Sequence, residues 1–524
     1  MKKPSKIDDV TDGKDVSASK VSKREFLKAA GAVTFVAAIS GGLIRQGRSQ
    51  GALYDLIIVG GGNAGMPAAI YASRRGAKVL IIEAAGVLGG TLLLSSGQMS
   101  AAGTKLQKSK GIVDTPQMHY DDIMRISKGT ANPALVRLAV ENNGDTFDWL
   151  MDNGLRVGKD HPILGTTHDP YSEKRYAWST EKGGMAIVEI LERELEPEIA
   201  KGNVTVLTST KAVDLIMEGD TVVGVVSESE PGGEGRHFGN NILLTCGGYA
   251  SNPEIFETYE GIRKYNDSSY PYSQGIGITL AKAAGGFVRG GELHAPLFGG
   301  ILQSNDYPSP LLQIFRPWPA RRPPWEIWVN KSGERFIRED ILSHDAVEEA
   351  LLKQEGNRAW VVFDQQGIEN APQILSSNYW TFDEYLEMFN DHDFFFKADT
   401  FADLAERAGV SAKGLEATIA AYNKGQSSKH DRFGREHLPA TISRPPYYAI
   451  LTHSWSFISF GGIAVDDELR VIRQDKTPVE GLYAAGEVIG AAQTMGKSHC
   501  GGMCVTPALT FGRLLGQKIL EFDV

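Results

Sequence analysis

One short stretch near the end of the chain collects residue types that often do chemistry. It reads TMGKSHCGGMC, covers residues 494–504, and contains Ser498, His499, Cys500 and Cys504 among three glycines. Histidine can donate or accept a proton near neutral pH, and cysteines beside a histidine can bind a metal or form a redox pair. The stretch is therefore a candidate metal site, redox pair or active-site floor.

The elements that must position this stretch begin with a strand, a helix and a second strand. The run YDLIIVGGGNAGMPAAIYASRRGAKVLIIEA covers residues 54–84. Its apolar, β-branched segments predict buried parallel strands over 56–59 and 79–82, because parallel strands are covered on both faces. The alanine-rich segment between them predicts a helix over 63–75.

The glycines between the first strand and the helix have the spacing of a dinucleotide site. Gly60 permits the tight turn, Gly62 lets the backbone approach a pyrophosphate, and Gly65 lets the helix pack closely on the strand. The helix N-terminus supplies free N–H groups for phosphate oxygens. Glu83 closes the second strand, where a carboxylate can accept hydrogen bonds from a ribose. Together these features predict a dinucleotide-binding unit.

Further motifs resemble those of the fumarate reductase and succinate dehydrogenase flavoprotein superfamily. They are GGTLLLSSGQMSAAGT at 89–104, LLTCGGYASNPE at 243–254, WVNKSGERFIRED at 328–340 and GLYAAGEVIG at 481–490. The resemblance covers nearly all of the chain from residue 53 and implies FAD as the cofactor. It also implies an α/β fold: a Rossmann-type, glutathione-reductase-like FAD-binding domain with an inserted α+β capping domain.

The implied domain organisation divides the chain into four segments. Residues 1–52 form a tail with a signal, 53–293 the first segment of the FAD-binding domain, 294–443 the capping domain, and 444–524 the second FAD-binding segment. The length of 524 residues suits two or three domains.

The composition changes along the chain in agreement with this division. Residues 204–229 alternate β-branched and polar side chains around Gly219–Asp220, which predicts antiparallel strands. Residues 308–328 are rich in proline and aromatic side chains, which is typical of an irregular connection. Helical periodicity then appears at 401–410 and again from residue 412.

The resemblance also implies which residues hold FAD. The dinucleotide turn contributes Gly60, Gly62, Gly65 and Glu83. The contacts implied for the pyrophosphate, flavin ring, adenine, ribitol and back wall come from Gly89, Gly90, Thr91, Ser96, Gly97, Val213, Gly247, Gly248, Glu487 and Gly502. The G-D-G that the family carries near the ribose is replaced by residues 275–277, which read G-I-G, so the chain departs from the pattern there.

The C-terminal stretch departs from the fumarate reductase pattern at its centre. In soluble fumarate reductases the loop reads N-R-x-G-G, and its arginine binds a substrate carboxylate. This chain has His499 at the arginine position. In 3-ketosteroid dehydrogenases the loop carries a tyrosine and a glycine whose N–H holds the ketone oxygen. Gly502 matches that glycine, and Ser498 lies near the tyrosine position.

Other implied site residues also differ from the fumarate reductase pattern. The proton-donating arginine of the cap is replaced by Ser343 or His344, depending on a one-residue gap. A histidine-containing H-H-T-M segment becomes F-I-S-F at residues 457–460, which we expect to form an apolar wall. His294 matches a carboxylate-binding histidine, and Tyr120 loosely matches an active-site tyrosine of steroid dehydrogenases.

These replacements favour a ketone or enone as the substrate. Fumarate is a small dianion that needs several cationic contacts, and arginine provides the best of these. Arg316, Arg321 and Arg322 could compensate, although a solvated basic loop is the simpler interpretation. We therefore expect hydride transfer between flavin N5 and a carbon next to a carbonyl, with an unknown electron acceptor or donor. His499 and His344 are the candidates for acid–base work. The alternatives are a fumarate- or enoate-type reductase and a flavin electron-transfer subunit without its own substrate.

Cys500 and Cys504 are expected to be two small apolar side chains packed beneath the flavin. These cysteines have the spacing C-x-x-x-C, and neither a fourth ligand nor a C-x-x-C pair lies nearby in the sequence, so we predict no metal site. A redox disulfide is the alternative in an exported protein. Three cysteines are too few for a disulfide framework, and no C-x-x-C-H is present for haem attachment.

The N-terminal residues predict export. SKREFLKAAGAVTFVAAISGGL, residues 22–43, resembles a twin-arginine signal with Lys23–Arg24 in place of two arginines. Its apolar run is too short for a stable membrane span, so we expect a periplasmic or exported protein. An amphipathic or disordered tail is the alternative. A net charge of −10 argues against a nucleic-acid partner.

Overall fold

A computed structural model describes residues 53–165, 168–229, 232–315, 319, 322–371 and 380–522. The predicted export signal, Arg316 and Arg321 lie outside these residues. Among the helices of the described ranges, none has both the length and the apolar character that crossing a membrane requires.

The described residues alternate between strands and helices. The strands are β1 (Tyr54–Val59), β2 (Val79–Ile82), β3 (Met99–Ser100), β4 (Tyr176–Ala177), β5 (Val204–Leu207), β6 (Thr210–Glu218), β7 (Thr221–Ser229), β8 (Gly233–Leu244), β9 (Val288–Arg289), β10 (Leu297–Leu302), β11 (Leu311–Ile314), β12 (Ile327–Val329), β13 (Arg358–Asp364), β14 (Phe395–Ala398), β15 (Tyr447–Trp455), β16 (Gly462–Ile463), β17 (Arg470–Ile472) and β18 (Pro478–Ala484). The helices are α1 (Gly65–Arg74), α2 (Lys105–Ser109), α3 (Pro116–Ile126), α4 (Pro133–Asp152), α5 (Met185–Ala200), α6 (Pro253–Glu260), α7 (Ile276–Ala283), α8 (His344–Leu351), α9 (Gln365–Asn370), α10 (Phe382–Asp391), α11 (Phe401–Ala408), α12 (Ala412–Ser428), α13 (Ala492–Met495) and α14 (Val505–Leu514).

The larger sheet carries the dinucleotide unit. Its order is β17-β18-β8-β1-β2-β5, and β1 pairs in parallel with both β2 and β8. All four residues of β2 are buried, as expected for a strand covered on both faces. Helix α1 joins β1 to β2 and begins at Gly65, two residues later than predicted. The predicted strand–helix–strand order is confirmed.

An antiparallel extension of this sheet matches the alternating pattern seen in the sequence. Strands β6 and β7 form a hairpin whose turn is at residues 219–220, and β7 continues onto β8. Strand β5 differs from the prediction, because it pairs in parallel with β2 instead of joining the hairpin.

The capping domain is built on a second, antiparallel sheet. Its order is β11-β10-β15-β13-β12, and β14 also pairs with β15. Ala295 packs in the core of the FAD-binding domain, whereas Phe298 packs in the core of the cap. The expected return to the FAD-binding domain at residue 444 is too early, because β15 (Tyr447–Trp455) is a central strand of the cap sheet.

Candidate active site

The glycine turn after β1 has the geometry that close backbone approach requires. Gly60 has φ of +106°, and a Cβ there would lie 2.6 Å from the Cα of Cys246. The Glu83 carboxylate accepts hydrogen bonds from the N–H groups of Gly61 at 2.8 Å and Ala85 at 2.7 Å. Burial raises the pKa of Glu83. The turn and the carboxylate are thus held together at the end of the parallel strands.

Two glycine segments face each other beside the N-terminus of α1. A Cβ on Gly62 would lie 3.7 Å from the Cα of Gly90, and one on Gly90 would lie 3.3 Å from the Cα of Gly62. Side chains here would narrow the space between the two backbones. The segments therefore form a cradle that a pyrophosphate fits. Thr91 follows Gly90 in a short 3₁₀ turn over Gly90–Leu93, and Ser96 and Gly97 come after that turn.

Val213 and Glu487, which the sequence predicts to face the adenine and the ribitol, have surroundings that are compatible with these roles. Val213 lies at a register shift between β6 and β7, where Ala212 and Asp214 have cross-strand partners and Val213 has none. The backbone of such a bulge residue is available for a ligand. Glu487 accepts hydrogen bonds at Oε1 from the Ser459 backbone N–H at 3.1 Å and from its hydroxyl at 3.3 Å. Burial raises the pKa of Glu487 to about 7.

Gly248, which the sequence predicts for the back wall, lies beside this carboxylate. A Cβ on Gly248 would lie 1.9 Å from Ser459 Oγ and 2.6 Å from Glu487 Oε1. The preceding residue, Gly247, has φ of +75°. Asn63, at the glycine turn, has a buried Oδ1 without a hydrogen-bond partner among the described residues. The cradle, the two carboxylates and this unpaired acceptor fit FAD.

His499 is fixed at the centre of the C-terminal stretch. Its Nε2 lies 2.8 Å from the carbonyl oxygen of Ala295, and its backbone N–H donates to Asp345 Oδ1 at 3.3 Å. Because a carbonyl only accepts, Nε2 carries the hydrogen and Nδ1 carries the lone pair in the neutral ring. The ring centroid lies 4.6 Å from that of His168 and 5.5 Å from that of Phe460. Burial lowers the pKa of His499 well below its usual range.

Gly502 and Ser498 lie on either side of His499. Gly502 has φ of +81°, and a Cβ there would lie 2.3 Å from the backbone nitrogen of Ser100 in β3. The Gly502 N–H makes no hydrogen bond within the part of the chain that the structure describes. Ser498 Oγ is buried and likewise has no partner there. Both groups are candidates for contact with a substrate or with the flavin.

Helix α8 brings the cap to the C-terminal stretch. Ser343 is the N-cap of α8 and accepts a hydrogen bond from the N–H of Ala346 at 3.3 Å. Its hydroxyl is therefore engaged in helix capping, and His344 is the better candidate for chemistry. The His344 ring lies 6.0 Å from that of His168. One turn further along α8, Glu348 Oε1 lies 3.2 Å from His168 Nε2.

His294 has a different environment from the one that the sequence suggested. Its Nδ1 lies 2.6 Å from Glu260 Oε2, and its Nε2 lies 2.9 Å from Ser456 Oγ. Both ring nitrogens are thus bonded within the protein, and the side chain is buried. The other Glu260 oxygen accepts from the N–H groups of Phe460 at 2.9 Å and Gly461 at 3.0 Å. His294 therefore positions the 456–461 segment, which corrects its assignment as a substrate ligand.

Tyr120 lies away from the C-terminal stretch in its contacts. The guanidinium of Arg137 stacks over its ring at 3.8 Å on the α3–α4 surface. The tyrosine that reaches the loop is Tyr171, whose hydroxyl donates to the Gly501 carbonyl oxygen. The ring of Tyr176 also packs against Gly501. The active-site role of Tyr120 stays a prediction.

The predicted apolar wall at 457–460 is divided by the structure. Phe460 contacts both His499 and His294, Ile458 is buried in the core, and Phe457 is 41% exposed. Ser459 hydrogen bonds with Glu487, as described above. Only Phe460 of these side chains makes a ring contact with His499 among the described residues.

The environments of Cys500, Cys504 and Arg322 are also defined by the structure. Cys500 is buried, as expected for a packed apolar side chain, whereas Cys504 is exposed, and both are free thiols. Arg322 forms a two-bond ion pair with Glu326, at 2.9 and 2.5 Å. Its charge is used inside the cap, so it does not replace a substrate-binding arginine.

Three residues of this region are not predicted from the sequence: His168, Glu348 and Glu260. His168 lies in the segment HDPYSEKR, residues 168–175, whose sequence has no periodicity. Glu348 could have been found from its position four residues after His344, since residues four apart share a helix face. No local signal marks Glu260, which acts through partners distant in sequence.

Comparisons with known proteins agree with this geometry. The FAD_binding_2 model, described as an FAD binding domain, matches residues 55–503. The fumarate reductase (cytochrome) of Shewanella frigidimarina is 29% identical over 477 residues, covering 90% of this chain and 77% of its own length. The 3-oxosteroid 1-dehydrogenase of Mycobacterium tuberculosis is 24% identical over 578 residues, covering 89% of this chain and 98% of its own length.

A solved structure gives the same relationship. The open conformation of a flavocytochrome c3 fumarate reductase superposes with a TM-score of 0.67 and 26% identity, covering 89% of this chain and 78% of that one. The predicted cofactor, fold and family are confirmed. The chain belongs to the FAD-binding family of fumarate reductase and succinate dehydrogenase flavoproteins, and it is an FAD-dependent oxidoreductase that acts on CH–CH groups.

Proposed function

We propose that this enzyme introduces or reduces a carbon–carbon double bond next to a ketone, as a 3-ketosteroid dehydrogenase does. The observation that carries the proposal is the environment of His499. Its ring contacts those of Phe460 and His168, at the sequence position where the family resemblance places the arginine of fumarate reductases. Among the residues that the structure describes, no arginine contacts this ring, and a dicarboxylate needs a bidentate donor of that kind. These surroundings suit a substrate with one carbonyl oxygen and apolar surface.

The residues around the loop divide the work of the reaction. FAD supplies the hydride acceptor or donor when it is bound. The Gly502 N–H would donate to the carbonyl oxygen, on which negative charge develops during proton transfer. In the desaturation direction, His344 would take the proton from the carbon next to the carbonyl, because the carbonyl makes that proton acidic. The hydride would then leave the adjacent carbon, one bond further from the carbonyl than the position expected from the sequence. Reduction would use the same groups in reverse.

His499 would hold the loop in place for this chemistry. Its side chain and its backbone join the loop to Ala295 and to Asp345 of α8, so the positions of Gly502 and of His344 are coupled. Ser498, whose hydroxyl lacks a partner among the described residues, would contact the substrate or the flavin.

A panel of substrates tests the proposal. The purified flavoprotein is reduced anaerobically and mixed with cyclic enones, acyclic enones, fumarate and mono-unsaturated carboxylates, while flavin absorbance is followed. Saturated ketones are mixed with the oxidised protein. We expect enones to reoxidise the flavin or saturated ketones to bleach it. Rapid reoxidation by fumarate, without a response to any ketone or enone, would contradict the proposal.

A carboxylate reductase is the second candidate function. Its support is the 29% identity to the fumarate reductase of Shewanella frigidimarina, which exceeds the 24% identity to the steroid enzyme. Inhibition of turnover by simple dicarboxylates would favour this candidate.

We also propose export through the N-terminal signal, which cell fractionation of the full-length chain tests.

A further inference from the structure

Three side chains from distant parts of the chain converge beside the C-terminal loop. One ligand atom each from His168, Glu348 and His499 can be chosen so that all three lie within 4.8 Å of one another. His168 comes from the loop after α4, Glu348 from α8 of the cap, and His499 from the C-terminal stretch. Two imidazoles and one carboxylate are a donor set for divalent first-row metal ions.

The distances within the cluster suit a shared ion. Metal–nitrogen and metal–oxygen bonds of about 2.0–2.2 Å place neighbouring ligand atoms roughly 3 Å apart. His168 Nε2 and Glu348 Oε1 already have this spacing, at 3.2 Å. The His168 and His499 ring centroids, at 4.6 Å, are close enough for both rings to reach one ion. The ligand atom of the third residue lies within 4.8 Å of the other two and must move closer to them to share the ion.

The second sphere of the cluster is also arranged as metal sites require. A metal-bound histidine usually donates its other ring N–H to a carbonyl or carboxylate, which fixes the tautomer. His499 does this with the Ala295 carbonyl and leaves its Nδ1 lone pair available. Glu348 is 3% exposed, and its Oε2 has no hydrogen-bond partner among the described residues. A buried carboxylate oxygen of this kind calls for a cation or a donor.

The cluster could add a cation to the hydrogen bond that the Gly502 N–H offers a substrate carbonyl. The site presents lone pairs from His499 and Glu348 where related enzymes present a guanidinium, so a bound cation would supply the positive charge there. We propose that His168, Glu348 and His499 bind a zinc-like divalent metal ion, with one open position toward the substrate oxygen. This inference rests on the proposed function for the role of the ion as a Lewis acid, but not for the binding itself.

Metal titration of the FAD-bound protein tests the site. The protein is treated with a chelator, dialysed and titrated with zinc chloride by calorimetry. Cobalt(II) is added in parallel, and its ligand-field bands are read at wavelengths beyond the flavin absorption. We expect one ion per chain. Glu348→Gln and His168→Ala should each weaken binding at least about 100-fold, since even second-sphere changes cost 10–100-fold, whereas exposed His430→Ala should not.

Flavin absorbance and the melting temperature check that each variant is folded. One folded variant, Glu348→Gln or His168→Ala, is enough for the comparison of zinc affinity with wild type. Absence of zinc binding, or equal binding by wild type and a folded ligand variant, overturns the inference. Turnover that survives chelation, together with absent binding, overturns the metal site and leaves the proposed function intact. Zinc binding without turnover of any ketone or enone overturns the proposed function and leaves the metal site.

Discussion

The Ala295 carbonyl oxygen lies 2.8 Å from His499 Nε2, and this hydrogen bond joins the C-terminal loop to the segment that leads into the cap. The bond fixes the hydrogen on Nε2 and therefore leaves a lone pair, not a donor, on Nδ1. A neutral His499 consequently cannot donate to a substrate carbonyl through Nδ1.

Replacing His499 should separate cofactor binding from turnover. We expect His499→Ala to keep its FAD, because the glycine cradle and Glu487 do not depend on this ring. Turnover should fall by at least about 100-fold, since small displacements of catalytic groups cost this much. Flavin absorbance per chain and single-turnover reoxidation measure the two effects. His430→Ala is the matched control, and undiminished turnover in His499→Ala would remove the residue from the mechanism.

A side chain at Gly248 should expel the carboxylate that faces the ribitol position. The added methyl of Gly248→Ala would overlap both Ser459 Oγ and Glu487 Oε1. We expect FAD affinity to fall at least about 10-fold, equivalent to about 1.4 kcal/mol, within the usual cost of overpacking. Fluorescence titration of the apoprotein with FAD measures it. Gly86→Ala is the control, because its nearest neighbour would be 3.7 Å away; equal affinities for the two variants would contradict the assignment.

Lys264 should make stability depend on pH above neutrality. The ammonium group is buried against the Ser456 carbonyl, and burial lowers the pKa of Lys264 to about 7. The carboxylates of Asp267, Glu487 and Glu260 act in the opposite direction but do not offset burial. Unfolded lysine titrates near 10.4. Between about pH 7 and 10 the unfolded state therefore holds the extra proton.

The sign of the effect follows from this difference. The free energy of unfolding should rise with pH in this window by up to about 1.4 kcal/mol per unit from Lys264. This gain is complete above the unfolded pKa and is lost as the pH falls toward the folded pKa. Lys264→Met should lack the slope. Urea unfolding of wild type, Lys264→Met and the exposed-site control Lys413→Met at pH 7 and 9 measures it; parallel behaviour of all three proteins would be the contrary result.

Glu260 should contribute strongly to the free energy of unfolding, although it is the last residue of helix α6. Its Oε1 accepts from the Tyr249 hydroxyl at 2.6 Å as well as from two backbone N–H groups, and its Oε2 contacts His294. In Glu260→Gln, the amide NH₂ must face a donor or leave one unpaired. We expect a loss of about 2–4 kcal/mol in the free energy of unfolding. Ser456→Ala, which removes one bond of the same network, should cost about 1 kcal/mol; the reverse order would disprove the ranking.

The FAD-binding features could be predicted because they are local. The glycine turn, α1 and the second strand are consecutive in the chain, and their spacing alone specifies the geometry around Gly60 and Gly62. The hairpin turn at 219–220 is equally local. By contrast, His168 and Glu348 are 180 residues apart, and no periodicity or motif joins them. Their contact arises only when α8 of the cap is placed against the FAD-binding domain.

Helix α3 and strand β15 show why tertiary placement is hard to derive from sequence. On α3, His119 is fully buried while Tyr120 is partly exposed, so a one-residue difference on the helix decides which side chain is buried. The sheet that β15 joins depends on its pairing with β10 and β13. Such pairing is tertiary and leaves no trace in composition.

The pairing of β10 with β15 has a mechanical consequence. The chain enters the cap along β10 and leaves it along β15, and these neighbouring antiparallel strands join at Leu297–Trp455. Just outside the pair, His294 bonds to Ser456 and closes the base of the two strands. The cap is thus attached through a narrow double-stranded stem. An inserted domain whose two ends lie side by side can be exchanged for one of different shape without changing the FAD-binding domain. New substrate specificities can therefore arise by replacing the cap alone.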